Sequence, residues 1–381
     1  MKAKKGEEAK LKFTCDTKEL SKSCQIVARA VSTKSSVPLL GCIKFDAKDG
    51  HISLCGYNLE FGISTDIAVH GIVEEGTTLI NAKTICAIVK TLPDGFTTIE
   101  TQPNNIVTVK SGDAKFDICT MPAGEYPEIP NFNLQFTTNI KQKVLKDLIR
   151  QTIFAVADNN ARPVYTGALF KIEEGRITTV GTDGYRLAKC HDTIDYHGKV
   201  FDFVVPKTTL ADLSFLLSDE PSKTAAISAD SRHAIFEIGN YNIFTRLLEG
   251  EYMDYDKAIP SRYATEVQVD VQTVLESTER VSLVMNDKLR SPLKMAINHI
   301  HNRIEMSCAT AFGTAKDALN ANITGDGLTI GFNSKYLADA LKNVSCDEVR
   351  LRFDGPLSPM VVLPDSGDSF VFLVLPVRLK E

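Results

Sequence analysis

The residues best suited to chemistry lie in the run TTVGTDGYRLA near the middle of the chain. Its Thr-Thr-Val start is typical of a strand, and GTDG is predicted as a turn because Asp-Gly tolerates the positive φ angles of tight reversals. Tyr185, Arg186 and Leu187 then place an aromatic, a cation and an aliphatic side chain together. Two interpretations are open. The run is a plain hairpin corner, or it is a docking pocket, since an apolar floor with an arginine at its rim suits a peptide with hydrophobic anchors.

No catalytic motif accompanies this corner. The sequence has no G-x-x-x-x-G-K-[ST] phosphate loop, no G-x-S-x-G nucleophile elbow and no H-E-x-x-H zinc motif. Asp365 and Asp368 are closely spaced carboxylates, but their Ser/Gly-rich surroundings indicate a structural turn. His299 and His301 alternate along a predicted strand, which is weak grounds for a metal site. We therefore expect a binding or scaffold protein without metal or cofactor.

Charge is divided unevenly between the predicted helices and the rest of the chain. Six helical segments together carry +7 while the whole chain carries −5, so the remainder carries about −12. These segments are 17–30, 83–92, 140–157, 207–217, 271–285 and 334–343. Basic helices beside acidic sheets suit a polyanion that is bound through its phosphates without base reading. The alternative is that the helix lysines only provide solubility.

The elements that must position these residues recur three times. Each copy opens with a strand and a helix, in which Phe13, Phe136 and Val267 occupy the equivalent strand position. An antiparallel strand pair follows, with alternating apolar and polar positions. A second helix then opens at NAK, VPK or NSK, and further strands close the copy. We therefore predict an α+β protein of three repeated domains, each with two helices packed on antiparallel sheets.

The predicted domains span residues 11–131, 132–260 and 261–381. Residues 1–10 are charged and are not followed by the apolar core of a secretory signal, so we do not expect a signal peptide. They are expected to be a disordered tail before the first strand. The similar segments GEYPEIP at 124–130 and GEYMDYDKAIP at 250–260 are interpreted as linkers.

Hydropathy and cysteine usage indicate the compartment. No run approaches the roughly 20 apolar residues of a membrane-spanning helix. The nine cysteines are scattered, and none form a zinc-type C-x₂₋₄-C pair. Because most lie in apolar segments, we expect free thiols, a reducing cytoplasm and no membrane association.

Four segments together resemble one family. GTDGYRLA at 181–188, SVPLLG at 36–41, GEYPEIP and the terminal VLPVRL at 374–379 resemble the bacterial DNA polymerase III beta subunits, the sliding clamps of replication. The resemblance runs in order from about Leu11 to Leu379. It implies the DNA clamp fold in a head-to-tail homodimeric ring of six domains, with helices lining the hole. It also implies a non-catalytic processivity factor that encircles duplex DNA without reading its sequence.

The resemblance further implies a pocket for short linear peptides of the DNA polymerase III alpha subunit, the clamp loader, and other polymerases and repair proteins. Carried over by position, the pocket comprises Tyr165, Thr182, Gly184, Tyr185, Arg186, Leu187, Met253, Lys257, Ala258, Pro359, Leu373, Leu375, Pro376, Val377 and Arg378. Met253 stands where many relatives have proline, and Lys257 replaces a common arginine. Lys380 and Glu381 extend past the usual Arg-Leu end.

The same alignment implies two further surfaces. The DNA-facing residues would be Lys34, Asn159, Arg162, Lys207 and Arg290. Pro163 and Val164 stand where some members carry aromatic DNA contacts. The ring would close through an edge strand with Phe116 and Ile118 and a helix end with Leu283 and Val284.

Two other functions compete with a clamp. A nuclease would need clustered acidic residues for metal ions, and the sequence offers no convincing cluster. A peptide-binding adaptor without a DNA role would keep the pocket but would not need basic helices.

Overall fold

The computed structural model describes residues 10–32, 36–130, 132–285 and 291–379. The predicted tail up to residue 9, Lys34, Arg290, Lys380 and Glu381 lie outside the described residues. The chain divides into two compact units, one of residues 1–139 and 224–246 and the other of residues 140–223 and 247–381. Within the described residues, no helix is long and apolar enough to cross a membrane.

Strands outnumber helices throughout the chain. The first part carries, in order, β1 (Lys12–Asp16), α1 (Thr17–Val27), β2 (Cys42–Lys48), β3 (His51–Tyr57), β4 (Phe61–Ala68), β5 (Gly71–Glu74), β6 (Gly76–Asn81), α2 (Ala82–Val89), β7 (Phe96–Gln102), β8 (Ile106–Ser111), β9 (Ala114–Met121) and β10 (Phe136–Lys141). The middle part carries α3 (Gln142–Ile153), β11 (Gly167–Glu173), β12 (Arg176–Thr182), β13 (Arg186–Thr193), β14 (Phe201–Pro206), α4 (Lys207–Leu216), β15 (Thr224–Ala229), β16 (His233–Ile238) and β17 (Tyr241–Arg246). The last part carries β18 (Thr265–Asp270), α5 (Val271–Ser282), β19 (Leu293–Asn298), β20 (Arg303–Thr310), β21 (Gly313–Asn320), β22 (Asn322–Gly325), β23 (Leu328–Phe332), α6 (Ser334–Lys342), β24 (Glu348–Phe353), β25 (Met360–Pro364) and β26 (Phe370–Val374).

The helices begin and pack where the sequence pattern places them. Asp16 caps α1, because its carboxylate accepts the amide of Glu19 at 2.9 Å and so satisfies a free helix donor. Leu20, Cys24 and Val27 are buried along one face of this helix. Their spacing of four and three residues is that of an amphipathic helix on a sheet.

The strands of each unit form antiparallel sheets. The first unit has one sheet in the order β10-β15-β16-β17-β4-β3-β2-β6-β9-β8-β7-β1-β5. The second unit has a sheet in the order β14-β11-β12-β13-β26-β25-β24-β18-β22 and a smaller one in the order β21-β20-β19-β23. Helices on antiparallel sheets confirm the predicted α+β class.

The internal repeat extends to individual hydrogen bonds. Tyr126 donates its hydroxyl to the Cys55 carbonyl at 3.4 Å in the first unit. Tyr252, at the matching place in the second GEY segment, donates to the Val180 carbonyl at 3.1 Å. The segments interpreted as linkers are therefore tied to a neighbouring strand by their tyrosines. Burial raises the pKa of both hydroxyls, because it disfavours the phenolate.

Two local predictions are wrong. The predicted GTDG turn is shorter, because β12 continues through Gly181 and Thr182. Gly181 is needed for packing instead, since a Cβ there would lie 2.4 Å from the Thr152 carbonyl oxygen of α3. His299 and His301 lie in the turn between β19 and β20 and not on a strand.

Candidate functional site

The corner between β12 and β13 is held by its own polar side chains. The Asp183 carboxylate accepts the backbone amides of Tyr185 and Arg186 at 2.9 and 3.0 Å. Thr182 donates its hydroxyl to the Arg186 carbonyl at 2.8 Å and accepts the Gly184 amide at 3.1 Å. Gly184 has φ 88°, which an L side chain adopts only with strain. The turn therefore has one well-defined shape, which fixes the backbone at Tyr185 and Arg186.

Arg186 turns back into the protein. Its Nε donates to Asp183 at 3.0 Å and its Nη1 donates to Asp339 of α6 at 2.6 Å. The guanidinium carbon lies 4.4 Å from the ring centre of Tyr336, also on α6. Only 10% of the side chain is exposed, so the arginine is not the open rim cation that the sequence suggested.

A continuous apolar cluster lies under the corner. Its buried members are Leu169, Val180, Leu187, Val204, Val361, Leu363 and Leu373. Leu187 and Leu373 are register partners on β13 and β26. Met253 and Ala258, from the linker, pack against this cluster. Four of the predicted pocket residues thus meet in one floor, and Pro359 directly precedes β25, which carries Val361.

The linker is fastened beside this floor at several points. Tyr252 packs edge-on against Tyr165, with ring centres 5.6 Å apart. Lys189 of β13 donates to Asp256 at 2.5 Å. Lys257 is exposed and pairs with Asp254 at 2.8 Å, which raises the pKa of the lysine. Tyr165 therefore reaches the cluster through Tyr252, whereas the charge of Lys257 is directed to solvent.

The carboxyl-terminal segment forms the other side of the corner. Leu375 donates its amide to the Tyr185 carbonyl at 3.0 Å, and Val377 donates to the Gly331 carbonyl of β23 at 2.8 Å. A Cβ on Gly331 would lie 2.5 Å from the Val377 carbonyl oxygen, so only glycine admits the segment here. Tyr185 is 63% exposed and Leu375 is 37% exposed. Both leave apolar surface open beside the floor. Pro376 is half-buried and Arg378 is exposed.

The described DNA-facing candidates lie near the ends of α3 and α4. Asn159 and Arg162 are exposed in the loop after α3. Lys207 opens α4 and donates to the Asp158 carboxylate at 2.6 Å and the Val156 carbonyl at 2.9 Å. This contact lowers the pKa of Asp158. A groove that contains Arg162, Pro163 and Val164 is also lined by the acidic residues Glu249, Glu251 and Asp254. The carboxylate of Asp158 therefore pairs with the one helix cation among these candidates.

The predicted ring-closing residues are accessible in their own units. In the first unit, β9 pairs with β8 from Ala114 to Cys119 and with β6 only at Thr120 and Met121. Phe116 on β9 is exposed, and Ile118 is half-buried. In the second unit, Leu283 is 84% exposed at the end of α5, and Val284 follows it.

Sequence reasoning missed residues that shape the corner. Tyr252 was recognisable, because it repeats Tyr126 in the GEY segments. Asp339 and Tyr336 carried no signal, since they lie about 150 positions from Arg186. The sequence also gave no indication of the role of Gly331, because that role depends on its contact with the distant Val377.

Comparison with known proteins identifies the family. Models of the DNA polymerase III beta subunit match in three pieces, the N-terminal domain at residues 11–130, the central domain at 139–254 and the C-terminal domain at 256–378. The beta sliding clamp of Bacillus subtilis is 30% identical over 97% of this chain and 100% of its own length. The beta sliding clamp of Staphylococcus aureus Mu50 is 30% identical over 92% of this chain and 94% of its own.

A solved structure agrees with this match. The DNA polymerase sliding clamp from Bacillus subtilis superposes with a TM-score of 0.93 at 31% identity, over 97% of this chain and 100% of that one. These findings confirm the resemblance, the clamp fold and the sliding-clamp role predicted from the sequence. The chain belongs to the DNA polymerase III beta subunit family, the DNA sliding clamps of replication, which act as processivity factors and not as catalytic enzymes.

Proposed function

We propose that two copies of this chain form a head-to-tail ring around duplex DNA and tether the DNA polymerase III alpha subunit to it. The ring would have six domains, from residues 11–131, 132–260 and 261–381 of each copy. The alpha subunit would dock through a short peptide at the corner between β12 and β13, and the clamp loader and other polymerases and repair proteins would use the same site. The observation that carries the proposal is the corner at Asp183, where a buried apolar floor lies beside the exposed apolar surfaces of Tyr185 and Leu375.

The chemistry of this corner supports a short peptide as the partner. Buried Leu187 and Leu373 supply the floor, while Met253 and Ala258 of the linker pack against it. Side chains of a peptide that fill such a site gain about 25 cal/mol for each Å² of apolar surface removed from water. A few apolar anchors are therefore enough for specific binding.

Exposed apolar edges support ring closure. The β9 edge offers backbone groups beside Phe116, and Leu283 presents its aliphatic side chain to solvent. In the second unit, β21 is an edge strand of the smaller sheet. An edge strand is a template for pairing with another chain, and a head-to-tail contact closes when two copies meet twice.

Local ion pairs support weak, sequence-neutral contact with DNA. Three helix cations of the second unit already lie 2.6 to 2.7 Å from a carboxylate oxygen. They are Lys146 with Asp219, Lys207 with Asp158, and Lys342 with Glu279. A cation paired in this way attracts phosphate less strongly than a free one. Retention would therefore depend on the closed ring and not on tight binding.

All nine cysteines are free, which supports a reducing, cytoplasmic setting. Burial raises the pKa of Cys15 to about 12 and that of Cys55 to about 11, so these thiols are poor nucleophiles.

The test is retention on DNA of two topologies. The chain is loaded on nicked circular DNA with the clamp loader of its own organism, and the complex is separated from free protein by gel filtration. We expect it to remain on the circle and to be lost after the DNA is cut once, because a ring slides off a free end. Equal retention on circular and linear DNA would contradict the proposal, since it would indicate ordinary affinity.

A further inference from the structure

The geometry points to Asp339, on α6, as a positioning residue for the docking site: it holds Arg186 in the folded-back position that fixes the corner and keeps the guanidinium away from a bound peptide. This inference rests on the proposed peptide-docking function of that corner. It assigns to Arg186 a role inside the protein and not in contact with the peptide.

The first support is the division of the guanidinium between two carboxylates. The Asp183 carboxylate accepts from Nε of Arg186 at 3.0 Å, and the Asp339 carboxylate accepts from its Nη1 at 2.6 Å. Asp339 is 28% exposed against 10% for Arg186, so water competes only partly for this pair. Charge-assisted hydrogen bonds of this length are the stronger class in proteins.

The second support is that α6 also orders the aromatic member of the triplet. The Tyr185 ring stacks on Tyr336 with centres 6.4 Å apart and planes at 29°. The Arg186 guanidinium lies over the same Tyr336 ring at 4.4 Å. One turn of α6 therefore contacts both Tyr185 and Arg186 through Tyr336, and Asp339 adds an ion pair to Arg186. Tyr185 in turn bonds the Leu375 amide through its carbonyl, which links the corner to the carboxyl-terminal segment.

A competing role for Arg186 makes the opposite prediction. If the arginine were a receptor for a carboxylate of the partner, Asp339 would be a competitor for it. Removal of the Asp339 charge would then free the guanidinium and tighten binding. If Asp339 positions the corner, the same change loosens the floor and weakens binding. The two roles therefore differ in the sign of the effect.

The experiment is a fluorescence-anisotropy titration of the full chain with two labelled peptides from the DNA polymerase III alpha subunit. One carries only apolar anchors, and the other has an aspartate added beside them. For Asp339→Asn we expect about tenfold weaker binding of both peptides, because the variant removes the negative charge from one of the two acceptors that hold the guanidinium. Asp339→Glu should recover part of the loss, because the carboxylate can still reach the guanidinium.

The matched control is Glu279→Gln. Glu279 lies on α5, and its carboxylate accepts from Nζ of Lys342 on α6 at 2.7 Å. The change therefore breaks an ion pair of α6 that does not involve the corner. It should leave both affinities within a factor of two. Circular dichroism and the urea midpoint identify a variant that fails to fold. In that case Tyr336→Ala is the second test, because it removes the ring that contacts Tyr185 and Arg186, and it should also weaken peptide binding.

The outcomes separate the two proposals. If the unchanged chain binds neither peptide, the docking function itself fails. If it binds them and Asp339→Asn binds the aspartate peptide more tightly, or either peptide equally well, then Asp339 does not position the corner.

Discussion

The corner at Asn58 in the first unit and the corner at Asp183 in the second are built on the same turn. The Asn58 side-chain oxygen accepts the amides of Glu60 and Phe61 at 3.1 and 2.8 Å. The Asp183 carboxylate accepts the amides of Tyr185 and Arg186, which also lie two and three residues further on. Leu59 has φ 79°, close to the value of the matching glycine. The backbone of the corner is therefore a property of the repeat and not of the docking site.

The side chains on the two turns differ. In the first unit Phe61 follows the turn and is buried, so the corner ends in its own core. In the second unit Arg186 stands at that position, with Tyr185 exposed before it. The neighbouring strand also differs, because β4 pairs with β17 whereas β13 pairs with β26. Only the second corner thus lies beside a carboxyl-terminal segment with open apolar surface.

Replacement of the residue after each turn should separate stability from docking. We expect Phe61→Ala to cost the first unit about 3 kcal/mol of unfolding free energy, because it leaves a cavity, and to leave peptide affinity unchanged. Arg186→Ala should weaken peptide binding about a hundredfold, since it leaves two partly buried carboxylates without their cation. Urea denaturation and anisotropy titration measure the two quantities. A comparable loss of affinity in Phe61→Ala would show that the corners do not differ in function.

The carboxyl-terminal segment can be displaced without a change to the corner itself. Gly331→Val should weaken peptide binding roughly tenfold, because any Cβ at this position collides with the Val377 carbonyl oxygen. Gly355→Ala is the control, since a Cβ there has nothing within 4 Å. The anisotropy titration again gives the result. Unchanged affinity in Gly331→Val would remove the carboxyl-terminal segment from the site.

The shared turn predicts stability changes of opposite sign. Leu59→Gly should stabilise the first unit by up to about 1 kcal/mol, because it relieves a side chain at positive φ at some cost in chain entropy. Gly184→Ala should destabilise the second unit by about 1 kcal/mol for the converse reason. Urea midpoints of single variants test this pair. Changes of the same sign would mean that the two turns are not equivalent.

The sequence predicted those features that depend on neighbours along the chain. Each copy was predicted to open with a strand and a helix, and the first predicted helical segment, 17–30, begins at the first residue of α1. The floor residues Leu187 and Leu373 followed from the resemblance, and the structure brings them together as register partners. Their assignment to a docking site stays a prediction.

Features that depend on distant contacts could not be predicted in this way. The folded-back Arg186 depends on Asp339, which the fold and not the local pattern brings within 2.6 Å. The role of Gly181 was misread for the same reason. A glycine before Asp-Gly suggests a turn, but close approach of α3 is what requires it. The charge of +7 counted over the helical segments likewise does not show that Lys146 and Lys207 are paired with Asp219 and Asp158 outside them.

The most direct test of the central claim is hydrogen–deuterium exchange of the full chain with and without a peptide from the DNA polymerase III alpha subunit. The account predicts slower exchange of amides at 182–187, 253–258 and 373–377 when the peptide is present, and no change at 57–61. Protection of the corner at Asn58, or no protection of the corner at Asp183 with the peptide bound, would contradict it.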